Sequence, residues 1–120
     1  MKALFDTNIL IDYLNGNPAA ETEFGRYRAR SISVITWMEV LCGPIGSKEE
    51  EDVIDMFLRD FTVVGVSRHV ARTAIELRRT RRIRIPDAII WATAQVESAL
   101  LVTRNTKDFP ADAPGIRVPY

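Results

Sequence analysis

Short runs of apolar and β-branched residues alternate along this chain with longer segments of helical character. Four runs have the length of a strand and a fifth candidate follows them: Lys2–Phe5, Ser31–Val34, Phe61–Val66, Leu100–Thr103 and Gly115–Val118. Strands that alternate with helices favour a parallel sheet packed between helices. We therefore predict an α/β fold, a three-layer α/β/α sandwich with a mainly parallel central sheet of four to five strands.

The helical segments carry recognisable start signals. Thr36–Glu39 and Ser47–Glu50 have the spacing of a capping box, in which a hydroxyl and an acid three residues later satisfy backbone N–H groups. Ser67 is placed to cap the next helix, and Pro86 lies where the first turn of a helix tolerates proline. These signals predict that helices begin at or next to each of these positions.

Length and composition narrow the class of protein. The 120 residues suit a single domain, residues 1–120, and 16 basic side chains balance 16 acidic ones. Cys42 is the only cysteine, which excludes an internal disulfide and a cysteine-based zinc site. No apolar stretch has the length of a membrane span and no signal peptide is evident, so we expect a cytoplasmic protein without a membrane partner.

Four acidic side chains lie near the ends of predicted elements. Asp6 follows the first strand, Glu39 lies in the first turn of a predicted helix, Asp87 opens another helix, and Asp108 follows the fourth strand. The carboxyl ends of parallel strands form one crevice in an α/β fold, so acids placed there can converge. A cluster of carboxylates repels itself unless a cation neutralises it, and Mg²⁺ prefers oxygen ligands of this kind.

Asp6 also has a purely structural explanation, because aspartate is a good N-cap for the helix that follows it. The sequence Asp6-Thr7-Asn8 offers an alternative. Thr7 could cap the helix, and Asn8 could hold the carboxylate by a hydrogen bond, which would free Asp6 to face the crevice.

Glu39 and Asp87 have structural alternatives of their own. In a capping box Glu39 would fold back onto the backbone N–H of Thr36 rather than face a metal ion. Asp87 would complement the positive end of its helix dipole. The neighbours of Asp87 are nearly all apolar, so this acid lies either at the edge of a pocket or in a costly buried position.

Asp108 lies in a polar segment directly after the fourth strand. A solvated turn is the alternative explanation for an aspartate in such a loop. Loops at the carboxyl ends of strands also carry function disproportionately. Thr103 and Asn105 in the same segment are expected to orient the other acids or an attacking water molecule.

The sequence contains no obvious side-chain nucleophile. Its basic residues are clustered, since seven of the 16 fall between residues 68 and 84. The last turn of one helix carries four arginines directly before the Asp87 segment: Arg78, Arg79, Arg81 and Arg82. Each one alone suits a solvated helix end, whereas together they are expected to bind phosphates at the rim of the acidic crevice. His69, the only histidine, is interpreted as a surface or capping residue.

The segment from Trp37 to Phe61 contains more large apolar residues than a small sheet needs. About half of them are expected in the core. The others would form a homodimer interface or a groove for a helix of a partner protein.

Four motifs in order resemble the PIN domain, and more narrowly the VapC toxins of bacterial toxin–antitoxin pairs. They are Asp6-Thr7-Asn8 after a short strand, Thr36-Trp37-Met38-Glu39, Ile85-Pro86-Asp87-Ala88, and the segment from Leu101 to Phe109. The resemblance covers essentially the whole chain. It implies an endoribonuclease that depends on Mg²⁺, with Mn²⁺ also accepted.

By this resemblance Asp6 and Asp87 are the principal metal ligands, and Glu39 and Asp108 complete the catalytic cluster directly or through water. Many PIN domains have an acid at the position of Asn105, so this chain departs from the pattern there. The resemblance also implies a homodimer and a VapB-type antitoxin that inserts a basic residue into the acidic pocket. Operator DNA would be bound only indirectly, through the antitoxin.

Two other functions stay open from the sequence. The first is an RNA-processing nuclease of the same fold without toxicity, for which the gene neighbourhood would lack an antitoxin. The second is a non-catalytic binding module whose acids only cap helices. A P-loop nucleotide hydrolase is excluded, because the chain has no glycine-rich phosphate loop.

Overall fold

The central feature of the molecule, described by a computed structural model for residues 1–120, is a five-stranded sheet. Its strands are β1 (Lys2–Phe5), β2 (Ala29–Ser33), β3 (Thr62–Val64), β4 (Leu100–Val102) and β5 (Ile116–Arg117). They are arranged in the order β3-β2-β1-β4-β5, and every neighbouring pair is parallel. The predicted α/β class with a sheet of four to five strands is confirmed.

The strand order reverses between β1 and β4. The chain moves outward from β1 through β2 to β3, then crosses to the other side of β1 for β4 and β5. In open parallel sheets ligands bind in the crevice at this reversal, beyond the carboxyl ends of the strands. Asp6 follows β1 and Thr103 follows β4, so both residues lie at the crevice.

Six helices cover the sheet. They are α1 (Thr7–Leu14), α2 (Pro18–Phe24), α3 (Val34–Leu41), α4 (Lys48–Leu58), α5 (Arg68–Arg81) and α6 (Ile85–Val96). Leu4 and Leu101 pack into one core with α5 and α6, whereas Phe5 and Val102 pack into a second core with α1, α2 and α4. Successive residues of a strand point to opposite faces, which is how one short strand supplies both cores.

Aromatic contacts hold the functional edge of the sheet in place. Phe5, the last residue of β1, packs edge-on against Phe24 at a centroid distance of 4.9 Å. Phe109, just beyond β4, packs edge-on against Trp91 of α6 at 5.6 Å. Both phenylalanine residues are buried. Phe5 therefore anchors the start of the segment after β1, and Phe109 anchors the end of the segment after β4.

The start of α3 differs from the prediction. Ser33, not Thr36, is the N-cap, and its hydroxyl accepts a hydrogen bond of 3.1 Å from the N–H of Ile35. The strand before it therefore ends at Ser33, although Val34 and Ile35 have β-branched side chains. Glu39 consequently lies near the end of α3 rather than in its first turn, and the capping-box explanation for Glu39 is wrong.

The other helix starts largely follow the sequence signals. Ser47 caps α4 and Ser67 caps α5 through hydrogen bonds to the N–H groups three residues later, and Pro86 lies in the first turn of α6. The expectation that Thr7 caps α1 is wrong, because Asp6 is itself the N-cap. None of the six helices combines the length and apolar character that crossing a membrane requires.

Candidate functional site

Asp6 is the most buried acid of the predicted cluster, with only 4% of its surface exposed. Its backbone N–H donates to the carbonyl of Val102, which fixes it beside β4. One carboxylate oxygen caps α1 by accepting from the N–H of Thr7 at 2.8 Å. The other accepts from Asn8 Nδ2 at 3.1 Å and from Thr103 Oγ1 at 2.8 Å. Capping and facing the crevice are therefore compatible, because each uses a different oxygen.

The electrostatic environment of Asp6 is mixed. Burial raises the pKa of Asp6 above its ordinary value, while hydrogen bonds from Thr103 and Thr7 act in the opposite direction. The negative charge of Glu39 adds to the rise in the pKa of Asp6. A nearby positive charge would favour the ionised form of Asp6 and so offset both effects.

Glu39 reaches the same region from α3. Its Oε1 accepts a hydrogen bond of 2.6 Å from Thr7 Oγ1, and this hydroxyl also lies 3.0 Å from that of Thr36. Glu39 is exposed, so its carboxylate lies at the solvent rim of the crevice. Thr7 thus connects Glu39 to Asp6, because its hydroxyl donates to Glu39 and its backbone N–H donates to Asp6.

Asp87 faces the crevice from the first turn of α6, and one of its oxygens is an exception among buried polar atoms. Oδ2 of Asp87 is buried and has no hydrogen-bond partner, and the nearest cationic nitrogen, Nη2 of Arg84, is 3.9 Å away. Burial, the adjacent Asp108 carboxyl and the charge of Asp6 raise the pKa of Asp87 to about 6. Helix-dipole complementation alone does not explain an acid with this environment.

Asp108 is held by a local hydrogen-bonded turn. Asn105 Nδ2 donates to Asp108 Oδ2 at 3.0 Å, and the N–H of Asp108 donates to Asn105 Oδ1 at 3.2 Å. The hydrogen bond from Asn105 holds the pKa of Asp108 below its ordinary value. Thr103 Oγ1 also accepts from the N–H of Asn105 at 2.9 Å, which connects this turn to Asp6. Asn105 therefore orients Asp108.

All four predicted acids are coupled by charge around the crevice, because Asp87 is affected by Asp6 and Asp108, and Asp6 is affected by Glu39. As they are placed, no three potential ligand side chains of the chain form a ready-made metal cage. Mg²⁺ is usually bound by one or two carboxylates together with water molecules and substrate phosphates, so a cage is not required. Oδ2 of Asp87 is buried without a hydrogen-bond partner, and the neighbouring acids raise the pKa of this side chain, so a cation bound here would be favoured electrostatically. The oxygen donors present therefore fit a hard divalent cation.

The arginine cluster separates into two groups. Arg78 Nη1 donates to the carbonyl of Ile83 at 2.8 Å, and the guanidinium of Arg81 lies 4.7 Å from the centre of the Trp91 ring. These two side chains therefore stabilise the junction between α5 and α6. All four arginines are exposed, and the difference is that Arg79 and Arg82 make no side-chain hydrogen bond, ion pair or ring contact.

Two arginines near the crevice were not selected as site residues from the sequence. Arg84 lies beside Asp87, and Arg104 belongs to the segment that also carries Thr103 and Asn105. For Arg84 the sequence did contain a signal, namely its position three residues before Asp87 at the start of a helix. His69, in contrast, is exposed in the first turn of α5, in agreement with its interpretation as a surface residue.

The apolar surplus of the segment from Trp37 to Phe61 is partly in the core and partly exposed. Val40 is buried, whereas Trp37, Met38 and Met56 are exposed. A cavity of about 640 Å³ also opens between α1, α3 and α4. It is lined by Ile11, Leu14, Asn15, Val40, Gly43, Pro44, Ile45, Glu49, Glu50, Val53 and Ile54. None of the predicted catalytic acids lines this cavity.

Comparison with known proteins identifies relatives of this architecture. Residues 3–111 match the PIN domain family. A chain of a toxin–antitoxin complex from Klebsiella pneumoniae is 43% identical, with a TM-score of 0.89 and coverage of 99% of this chain and 98% of that one. None of the curated proteins matches the sequence significantly.

More distant structures share the fold. A chain of VapBC2 from Rickettsia felis bound to a promoter DNA fragment is 24% identical, with a TM-score of 0.82 and coverage of 97% of this chain and 96% of that one. A chain of FitAcB from Neisseria gonorrhoeae is 22% identical, with a TM-score of 0.82 and coverage of 98% and 97%.

Proposed function

Since this chain belongs to the PIN domain family, as its motifs predicted, we propose that it is a Mg²⁺-dependent endoribonuclease and the toxin of a toxin–antitoxin pair. PIN domains are a nuclease family, which supports hydrolysis of nucleic acid as the general activity. One observation carries the proposal. Asp87 carries a buried oxygen without a hydrogen-bond partner and is coupled by charge to Asp6 and Asp108.

The acids have distinct tasks in this proposal. Asp6 and Asp87 would be the principal ligands of the metal ion, and Glu39 and Asp108 would contact it directly or through water. When bound, Mg²⁺ or Mn²⁺ would lower the pKa of a water molecule and offset the charge of the phosphate. Thr103 and Asn8 keep the Asp6 carboxylate in one orientation, so little side-chain reorganisation is needed when a cation binds.

The positive side chains near the crevice suit a polyanionic substrate. Carboxylates repel phosphates, so binding of RNA requires basic side chains at the rim. Arg79, Arg82 and Arg84 are exposed around the junction of α5 and α6 and are available for this task. Arg78 and Arg81 are exposed as well and are also proposed to bind phosphates, while their contacts shape the junction.

A protein antitoxin is the proposed regulator. The relative from Klebsiella pneumoniae is described as a toxin–antitoxin complex, and the distant VapBC2 relative is bound to promoter DNA. We propose that a VapB-type antitoxin places an amphipathic segment against the apolar cavity between α1, α3 and α4, and that operator DNA is contacted through the antitoxin. Exposed Trp37 and Met38 on α3 would contribute to a homodimer.

The decisive experiment compares wild type with Asp87→Asn. Purified protein is incubated with RNA in the presence of Mg²⁺, Mn²⁺ or a chelator. In a second experiment the protein is induced briefly in cells, and the ends of the cellular RNA are sequenced. We expect discrete cleavage sites that require both the divalent ion and Asp87. Asp60→Asn, which changes an exposed acid in the loop between α4 and β3, is the matched control and should cleave normally.

Each failure has a specific meaning. Equal cleavage by Asp87→Asn would remove the acidic crevice from the reaction. Cleavage without growth arrest on induction would favour a non-toxic RNA-processing nuclease instead. Absence of both cleavage and metal binding would leave a binding module, and the proposed function would be wrong.

A further inference from the structure

A second acid on α1, Asp12, organises a three-residue cluster close to the crevice. Nε and Nη2 of Arg104 bind both oxygens of the Asp12 carboxylate, the latter at 2.9 Å. The hydroxyl of Tyr120 donates to Asp12 Oδ2 at 2.7 Å. We refer to Asp12, Arg104 and Tyr120 as the Asp12 clamp. It joins α1 to Arg104 and Tyr120, which lie 92 and 108 positions after Asp12 in the chain.

The Asp12 clamp differs from an ordinary surface ion pair, which contributes little to stability. The contact is bidentate and has a third donor, and the Asp12 side chain is only 15% exposed although Arg104 and Tyr120 are themselves exposed. Burial alone would raise the pKa of Asp12, but hydrogen bonds from Arg104 and Tyr120 hold it below its ordinary value. A planar bidentate pair with these partners restrains position as well as charge.

Arg104, which the Asp12 clamp restrains, lies in the sequence between two residues that hold the crevice acids. Arg104 stands between Thr103, which donates to Asp6, and Asn105, which donates to Asp108. The backbone N–H of Arg104 also donates to Asn8 Oδ1 at 3.3 Å. Asn8 in turn donates to Asp6 through its Nδ2. Displacement of Arg104 would therefore be transmitted to two carboxylates of the crevice.

We propose that Asp12, Arg104 and Tyr120 are positioning residues that fix the segment 103–108 and thereby set the affinity of the crevice for a divalent cation. None of the three touches the crevice acids with its side chain in the recorded hydrogen bonds, so they act through Thr103, Asn105 and Asn8. The inference rests on the proposed function, because cation affinity is the property that the Asp12 clamp would tune.

The test uses the full chain and two independent measurements. Amide hydrogen exchange in metal-free protein reports on the N–H groups of Asn105, Asp108 and Phe109, all of which donate hydrogen bonds to residues of the segment 103–108. Calorimetric titration with Mn²⁺ reports on cation affinity. The variants are Tyr120→Phe, which removes one hydroxyl, and Arg104→Ala.

We expect faster exchange of these three amides in both variants. We also expect Mn²⁺ affinity to fall about tenfold in Arg104→Ala, as for other residues that orient metal ligands, and by less in Tyr120→Phe. The double variant Asp12→Asn/Arg104→Ala should bind Mn²⁺ no more weakly than Arg104→Ala, because both changes break the same pair. Lys2→Met, which breaks the 3.0 Å pair with Glu97 at the opposite edge of the sheet, is the control.

The outcomes separate this inference from the proposed function. Unchanged exchange and unchanged Mn²⁺ affinity in both variants would overturn the inference, even if their thermal stability falls. If Arg104→Ala does not fold, Tyr120→Phe decides alone. If wild type binds no Mn²⁺, the proposed function fails. The exchange measurement then still shows whether the Asp12 clamp fixes the segment 103–108. Unchanged exchange in Tyr120→Phe would in that case overturn this positioning role as well.

Discussion

The hydroxyl of Thr103 donates a hydrogen bond of 2.8 Å to Oδ2 of Asp6, joining residues 97 positions apart in the sequence. Both residues are buried at the point where the strand order reverses. The same hydroxyl accepts from the N–H of Asn105. One threonine therefore determines how the most buried acid and the segment carrying Asp108 are oriented together.

Replacing Thr103 with valine should weaken both stability and cation binding. Valine keeps the shape of threonine but leaves the buried Asp6 carboxylate and the N–H of Asn105 each short of a partner. We expect a loss of about 1–3 kcal/mol in the free energy of unfolding, measured by urea denaturation, and weaker Mn²⁺ binding in calorimetry.

A matched control for this change is Thr93→Val. Thr93 is equally buried, but its hydroxyl donates to the carbonyl of Ile89 within α6 and touches no acid. This variant should bind Mn²⁺ as wild type does. Equal Mn²⁺ affinities for all three proteins would show that Thr103 has only a structural role.

The raised pKa of Asp87 predicts an unusual pH dependence of stability in metal-free protein. The pKa is about 6 in the folded protein and 3.8 for an ordinary aspartate, so between these values the folded state binds more protons than the unfolded state. The contribution of Asp87 to the free energy of unfolding therefore falls as the pH rises from about 4 to about 6 and is constant above. Asp87→Asn lacks this fall and should gain up to about 3 kcal/mol relative to wild type between these limits.

Denaturation curves across this pH range, recorded in chelator, measure the difference between the two proteins. The difference reports on Asp87 together with Asp108, because the contact with Asp87 helps to lower the pKa of Asp108 and is altered in the variant. Carboxyls outside this pair, such as Asp12, are present in both proteins and cancel. A difference in stability that is the same at every pH would contradict the prediction.

Divalent cations should stabilise wild type and not the acid variants. A cation at a hundredfold excess over its Kd adds about 2.7 kcal/mol to the free energy of unfolding. For a domain of this size this corresponds to a rise of roughly 10 °C in Tm. Thermal unfolding with Mn²⁺, Mg²⁺ or chelator measures the effect in wild type, Asp6→Asn and Asp87→Asn. A rise of similar size in Asp87→Asn would place the cation elsewhere on the molecule.

The arginines of α5 should separate into stability and binding residues. Arg79→Ala should change the free energy of unfolding by less than about 0.5 kcal/mol, because Arg79 is exposed. It should weaken RNA binding and lower the salt slope by about 0.7 if it contacts one phosphate of single-stranded RNA. Arg81→Ala should instead lose about 0.5–1 kcal/mol of stability, since its guanidinium stacks on Trp91. A salt titration of RNA binding, with denaturation of the same samples, separates the two; an unchanged slope in Arg79→Ala would contradict the assignment.

Local sequence patterns predicted the element types well and several boundaries only to within about two residues, and the start of α3 was the error that affected the site. The alternation of strands and helices, the caps at Ser47 and Ser67, and the proline near the start of α6 all depend on residues within one or two turns of each other. The start of α3 was misplaced because Ser33 and Thr36 both satisfy the local rules for a cap. Burial of the Thr36 side chain between α1 and α3 decides between them, and burial depends on the rest of the fold.

The site shows the same division. The sequence by itself determined that Asp6, Asp87 and Asp108 lie at or beyond the ends of elements, and that the carboxyl ends of parallel strands can bring such acids together, whereas it misplaced Glu39 within its helix. Only the tertiary structure decided which oxygen of Asp6 caps α1 and which accepts from Thr103, that Glu39 contacts Thr7, and that Arg104 binds Asp12. These pairs join residues from different elements, so their distances follow from strand order and helix packing rather than from spacing along the chain.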